Sequence, residues 1–444
     1  MLLTPEQVLQ LAPDAASAKA GQGLAMPAKW PTLGQSGNAL WGECQGSGSK
    51  PYQVQIDLGG GPVFRCTCPS RKFPCKHGLA LLLLQARKPD AIATAEPPAW
   101  VAEWLASRQQ RAARQEEKKA QATEPATTPA ADPATTAKRE TKRLERMAAG
   151  AAELRRWLED QVRQGIGNLA DPKTDWRALA ARMVDAQAPG LAFRVRKLGE
   201  IAGTGGDWPT RLLAAMGRLA LLLDAFDRFA DLPPPVQADV RAALGWPLDK
   251  DEVLAQGERC TDLWDVLGCQ IEENERLWER RVWLRGRETG RRALLLDFAH
   301  GNPVFAQPFL VGSALRLTLA YYPGSRPSRA LIVAGPEAEG SARVPAQTLE
   351  DEWTTLAEGI AANPWQSPWP LAVPAAVPGF DDNGWALYTA EGGRLPVALA
   401  DDEGWRWLAL SGGMPMGVFG EWDGEKLLPL SAWAPDLVWS GGQR

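Results

Sequence analysis

A chain of 444 residues that is 45% hydrophobic and 23% charged holds enough apolar material for more than one core, because single cores stop growing well below this length. A formal charge of −4 and a pI near 5.6 exclude the uniformly positive coat of a strong non-specific DNA binder. The charge is uneven: residues 1–147 carry 19 lysines and arginines against 13 acids and the remainder 30 against 40, so any attraction to nucleic acid belongs to the first third.

The N-terminus, Met1-Leu2-Leu3-Thr4-Pro5-Glu6, has no basic region followed by an apolar stretch, so a secretory signal is not expected and a cytoplasmic location is. Leu79–Leu84 is too short to cross a bilayer and Leu212–Phe226 is broken by Arg218 and Asp224, so no membrane span is expected. Six cysteines in so long a chain are too few for a disulfide scaffold, and their clustering points to metal or catalysis.

In chain order, Thr4 and Pro5 predict a short helix over Pro5–Leu11. Tyr52–Leu58 alternates apolar and polar residues, Gly59-Gly60-Gly61 turns, and Val63–Cys66 resumes the alternation, which is a hairpin signal. Gly78–Ala86 has helix-forming composition and stops before Pro89. A helical stretch with Trp100, Trp104 and Leu105 runs into Ala120–Ala137, whose alanine, threonine, proline and acidic residues read as a flexible linker.

Helical periodicity returns with Leu144, Met147, Ala151, Leu154, Leu158 and Val162, and continues through Trp176–Ala186, Leu191–Ile201, Trp208–Phe229 and Val236–Leu244, predicting a bundle of roughly five helices. After about Cys260 short alternating runs predict strands: Arg281–Leu284, Ala293–Phe298, Leu315–Tyr321 and Ala330–Val333. Asp381-Asp382-Asn383-Gly384-Trp385 and Asp401-Asp402-Glu403-Gly404-Trp405 recur twenty positions apart and are read as two similar hairpin turns, in preference to a ligand-binding repeat. The expected architecture is an α+β multidomain fold: a small ββα zinc-binding module with flanking helices (1–106), a linker (107–140), a helical domain (141–255) and a C-terminal antiparallel β-rich domain (256–444).

The chemistry concentrates in Cys66-Thr67-Cys68-Pro69-Ser70-Arg71-Lys72-Phe73-Pro74-Cys75-Lys76-His77. Cys66 and Cys68 differ by the strand period, so both thiolates leave one face of a strand. Cys75 and His77 cannot reach one ion from inside a regular helix, so the helix must begin near His77. Four ligands, three sulfur and one nitrogen, match a closed tetrahedral structural zinc site that leaves no position for a catalytic water. Three thiolates around Zn2+ carry a net negative charge; Arg65, Arg71, Lys72 and Lys76 either offset it or contact nucleic-acid phosphates, and the sequence leaves both readings open.

The pattern Cys-x-Cys, six residues, Cys-x-His resembles the SWIM zinc finger, and so do the flanking Trp41-Gly42-Glu43-Cys44-Gln45-Gly46-Ser47-Gly48, Pro51-Tyr52 and the helix entrance at Cys75-Lys76-His77-Gly78. The resemblance covers about residues 40–87, with a spacer at the short end of the family's range, and implies one structural zinc on Cys66, Cys68, Cys75 and His77 and a partner that is DNA or protein. It also implies a protein partner of the MoxR-like AAA+ ATPase or von Willebrand A-domain kind, since similar bacterial proteins tend to be encoded beside these. Cys44 is a fifth thiol near the module, either packed beneath it or exchanging with a ligand. Cys260 and Cys269 are read as core residues, and His300 as a turn residue.

Enzyme signatures are missing from the sequence. Gly203-Thr204-Gly205-Gly206 lacks the lysine of a phosphate loop, and Gly46-Ser47-Gly48 precedes a strand instead of joining strand to helix. With one of two histidines committed to zinc, a serine or cysteine nucleophile has no ready base. The expected function is therefore a non-enzymatic interaction module or adaptor, with DNA binding through the basic zinc module as the alternative and an unrecognised activity in residues 260–444 as a third reading. Twenty tryptophans, many between Trp353 and Trp439, are read as β-layer core in preference to an exposed binding surface.

Overall fold

The computed structural model describes residues 5–12, 15–45, 50–59, 62–70, 72, 74–108, 110, 133–246, 248–274, 277–301, 303, 305, 307–343 and 348–441. Thr4, Arg71 and most of the expected linker lie outside the described residues. Within them the predicted α+β architecture is present, with three antiparallel sheets.

The first sheet is a meander of β1 (Thr32–Ser36), β2 (Ala39–Cys44), β3 (Tyr52–Asp57) and β4 (Val63–Cys66), so the expected two-strand module has four strands. Helix α1 (Pro5–Gln10), α2 (Ala15–Leu24) and α3 (Lys76–Arg87) share one side of it. The run Leu79–Leu84 is apolar around the whole helix, and a helix of that kind must be enclosed. It is enclosed here: the sheet covers one flank and α1 and α2 the other, and residues 79–84 are all buried. A helix over 99–108, α4, covers the sheet's second face, where Val101 packs on Ala39 and Trp41 and Arg108 pairs with Asp57 at 3.1 Å.

The bundle comprises α5 (Pro133–Gln164), α6 (Trp176–Asp185), α7 (Pro189–Ile201), α8 (Trp208–Asp227) and α9 (Pro234–Leu244), close to the predicted spans. Its core takes Met147, Ala151, Leu154 and Leu158 from α5, but the predicted end members Leu144 and Val162 are exposed. Helix α5 also begins at Pro133, inside the stretch read as linker. Asp175 caps α6 by accepting from Ala178 N at 2.8 Å, and Gly245 ends α9 in the left-handed conformation. Gly203–Gly206 is the turn between α7 and α8, without a strand before it.

The C-terminal half follows α10 (Lys250–Gln256). Strands β5 (Arg259–Asn274), β6 (Leu277–Gly286), β7 (Arg292–His300), β8 (Ser313–Tyr321) and β9 (Ala330–Ser341) form a sheet in the order β7-β6-β5-β8-β9. Helix α11 (Leu349–Ala362) leads to a second sheet ordered β12-β11-β10-β13-β14-β15, from β10 (Trp369–Asp381), β11 (Gly384–Thr389), β12 (Arg394–Pro396), β13 (Met416–Trp422), β14 (Leu427–Trp433) and β15 (Leu437–Ser440). The sheets pack through Leu267 and Trp283 on one and Ala372, Phe419, Leu430 and Trp433 on the other. Buried Glu421 accepts from Arg281 at 2.9 Å and from the Trp283 indole at 2.7 Å across that interface. Glu352 of α11, fully buried, pairs with Arg285 and Arg292 and accepts from Ala372 N at 3.1 Å.

Cys260 and Cys269 lie in the β core, as expected, and burial pushes the Cys269 thiol up to about 11. His300 is the exposed last residue of β7, opposite Leu277, and not a turn residue. The two Asp-Asp-x-Gly-Trp segments differ: the first is the β10–β11 hairpin turn, with Gly384 at φ +92°, whereas the second opens α12 (Asp401–Ser411) with Gly404 inside the helix. A β turn was wrong there because three acids at a helix start complement the helix dipole. Of the twenty tryptophans, all described, Trp405 alone is exposed.

Specific contacts join these parts. Asp239 of α9 accepts from Ser325 N at 3.0 Å and Asn363 Nδ2 at 2.9 Å, and Arg194 of α7 donates to Ala243 O and Trp365 O. Between β7 and β8, Phe309 and Val311 pack on the β5–β9 core while Leu310 enters the core of the N-terminal module. Among the described residues no helix is long and apolar enough to cross a membrane.

Candidate metal centre

Strand β4 pairs with β3 through Cys66 opposite Val54, and the pairing is extended beyond the strand by Thr67 N to Gln53 O and by Gln53 N to Thr67 Oγ1, both at 3.0 Å. Holding Thr67 in the extended ladder places Cys66 and Cys68 on one face. From the other side Cys75 stands at the N-cap of α3, with extended backbone at φ −75° and ψ 163°, and His77 is the second helical residue. The helix therefore starts where the ligand spacing requires.

The ligand atoms of Cys66, Cys68, Cys75 and His77 all lie within 4.8 Å of one another, and Cys66 Sγ is 3.8 Å from His77 Nδ1. A tetrahedron with Zn–S of about 2.3 Å has edges of about 3.8 Å, so the group closes on one zinc ion with shifts below about 1 Å. The four side chains fit one structural zinc, and the donor set of three sulfurs and one imidazole is zinc's. Cys75 and His77 are buried, Cys66 and Cys68 half-buried. The Tyr52 ring packs beside the imidazole, with centroids 4.9 Å apart and planes tilted by 39°.

Backbone amides supply what a thiolate cluster needs. The Cys68 N–H donates to the Cys66 sulfur, Ser70 N–H to Cys68 and Gly78 N–H to Cys75. Without metal, the Cys66 thiol donates to Cys75, which draws Cys75 down to about 3, helped by the Gly78 amide, and holds Cys66 well above the usual thiol range. Burial also raises Cys68.

The basic residues separate. Arg65 is exposed but alternates with Phe64 and Cys66 along β4, so it leaves the sheet on the side away from the cluster. Lys72 and Lys76 are exposed beside the ligand pairs, and Arg71 is outside the described residues. Cys44 does not join the four-ligand group; it is fully buried in the module's core, and burial pushes it up to about 11.

Two residues at the site, Tyr52 and Gly78, carry the family resemblance in the sequence, but their contacts are not readable there. A Cβ on Gly78 would stand 2.8 Å from Phe64 Cδ1, so this glycine lets the α3 entrance approach β4 closely enough to join the two ligand pairs. Gly78→Ala is expected to cost about 1–3 kcal/mol of module stability by overpacking and to weaken zinc retention in a competition titration with a chelator; wild-type retention would contradict this role.

A four-ligand Cys3His knot tying a β-hairpin to a helix entrance defines a zinc-finger module followed by a helical bundle. Residues 52–85 match the family model of the SWIM zinc finger, and residues 142–244 match that of the SWIM-associated four-helix bundle domain. The chain carries both, and the bundle match spans α6 to α9 and most of α5. No curated protein and no solved structure matches the chain.

Proposed function

We propose that this protein is a non-enzymatic adaptor in which zinc, held by Cys66, Cys68, Cys75 and His77, sets the shape of a module that docks on a protein partner. The closed ligand set carries the reading. Four protein ligands saturate a tetrahedral ion and leave no place for substrate or water, so the metal stabilises a surface and does not act as a Lewis acid. An AAA+ ATPase, of the MoxR-like kind or together with a von Willebrand A-domain protein, is the partner class proposed. Such a partner supplies the nucleotide hydrolysis for which the Gly203–Gly206 turn has no lysine.

The separation of Arg65 from Lys72 and Lys76 favours protein over DNA, because phosphate contacts require positive groups on one surface. The full chain and its Cys75→Ser variant, each used as bait in native extract, test the reading. A reproducible ATPase partner is expected with the wild type and its loss with the variant. Equal capture by both, or no reproducible partner, rejects it. A labelled-duplex shift whose affinity falls steeply with salt would establish DNA binding instead.

A further inference from the structure

We propose a second binding site in the C-terminal sheet: the exposed rings of Phe380 and Trp405, set over Trp385 at the side of an open cleft, take an arginine or lysine side chain from a basic segment of a partner protein. The site stands apart from the zinc module and does not depend on what that module binds.

The two Asp-Asp-x-Gly-Trp segments meet in space, although one is a hairpin turn and the other a helix start. The Trp385 indole N–H donates to Asp401 Oδ1 at 3.1 Å. Its ring meets Trp405 edge-on, with centroids 5.1 Å apart and planes at 84°, and Phe380 closes the trio at 5.1 Å from Trp385 and 6.0 Å from Trp405. Gly404 makes this approach possible: a Cβ there would fall 2.1 Å from the Trp385 ring. Trp385 is the buried base of the group, while Phe380 and Trp405 are 53% and 54% exposed.

Trp405 stands out among the tryptophans, every other one of which is buried or half-buried. Phe380 and Trp385 line an open cleft of about 460 Å³ together with Asn383, Val397, Leu399, Asp401 and Lys426, and Trp405 packs against both rings beside it. Aromatic faces carry negative electrostatic potential and attract cations, arginine above all. Asp382, Asp401 and Asp402, all exposed, stand in or next to the lining, which itself contains one base, Lys426. An acidic ligand meets like charge on both the ring faces and the carboxylates. An uncharged apolar ligand makes no use of the carboxylates. A guanidinium or ammonium on an extended segment uses both.

The experiment uses the full chain and the peptide acetyl-(Ala-Arg)5-amide, with (Ala-Gln)5 and (Ala-Glu)5 as controls. Binding is read by calorimetry and by the indole N–H resonance of Trp405, assigned through its loss in Trp405→Leu. The arginine peptide is expected to bind saturably and shift that resonance. Trp405→Ala should weaken binding about tenfold, and Asp382→Asn with Asp402→Asn should weaken it severalfold and flatten its salt dependence. Because Trp405 and Phe380 are surface residues, Phe380→Ala provides an independent variant, and both are compared at matched circular dichroism. The proposal is overturned if no peptide binds saturably, if the glutamine peptide binds as tightly as the arginine peptide, or if both aromatic variants retain wild-type affinity.

Discussion

Replacing Cys75 with serine is expected to abolish zinc binding and to unfold the N-terminal module. Cys75 stands at the N-cap of α3, where the Gly78 amide and the helix dipole favour a thiolate. A serine hydroxyl does not ionise at neutral pH and leaves three ligands for a four-coordinate ion. Structural zinc contributes about 10–16 kcal/mol in finger peptides, and a whole domain is stable by about 5–15 kcal/mol, so losing the ion exceeds what the surrounding core can offset. Elemental analysis should find no stoichiometric zinc in the variant, and limited proteolysis should cut within the module while the β cores of the C-terminal half persist, because those cores are built from separate residue clusters. One zinc per chain retained by the variant would remove Cys75 from the ligand set.

Glu352→Ala carries the second large effect. The carboxylate has no solvent exposure and neutralises Arg285 and Arg292, whose side chains are 13% and 18% exposed, while also accepting from Ala372 N. Removing it leaves Arg285 without its salt-bridge partner, Arg292 with only the Pro370 carbonyl, and the Ala372 amide unpaired, and breaking a buried pair in this way costs about 3–5 kcal/mol. Chemical denaturation should show the loss in the β transition and leave zinc content unchanged. A midpoint equal to the wild type would mean that water reaches the arginines. Glu352→Gln tests the charge separately: it keeps the amide contact and is expected to recover only part of the stability.

The metal site was legible because its determinants are local. Twelve consecutive residues contain both pairs, and the strand period together with the helix entrance fixes their geometry without long-range information. The bundle was legible for a similar reason, since α6 to α9 have apolar periodicity punctuated by proline and glycine. Other elements depended on context. Asp-Asp-Asn-Gly-Trp and Asp-Asp-Glu-Gly-Trp are nearly the same string, yet one turns and the other winds, because Trp385 requires a helix surface without a side chain at Gly404. Strand β5 is interrupted to the eye by Asp262, Asp265 and Gly268, and its register does shift between Val266 and Gly268. Burial of Glu352 was illegible altogether, because its partners lie on strands 60 and 67 residues away.

Leu310 has a practical bearing on any attempt to divide this protein. A piece stopping anywhere before that position would take one buried side chain out of the N-terminal module's core, and a piece starting after the bundle would display a greasy side chain to water. Both truncations should therefore be stickier than the intact chain. The intervening segment works like a stitch, with Phe309 and Val311 drawn toward one fabric and Leu310 toward the other.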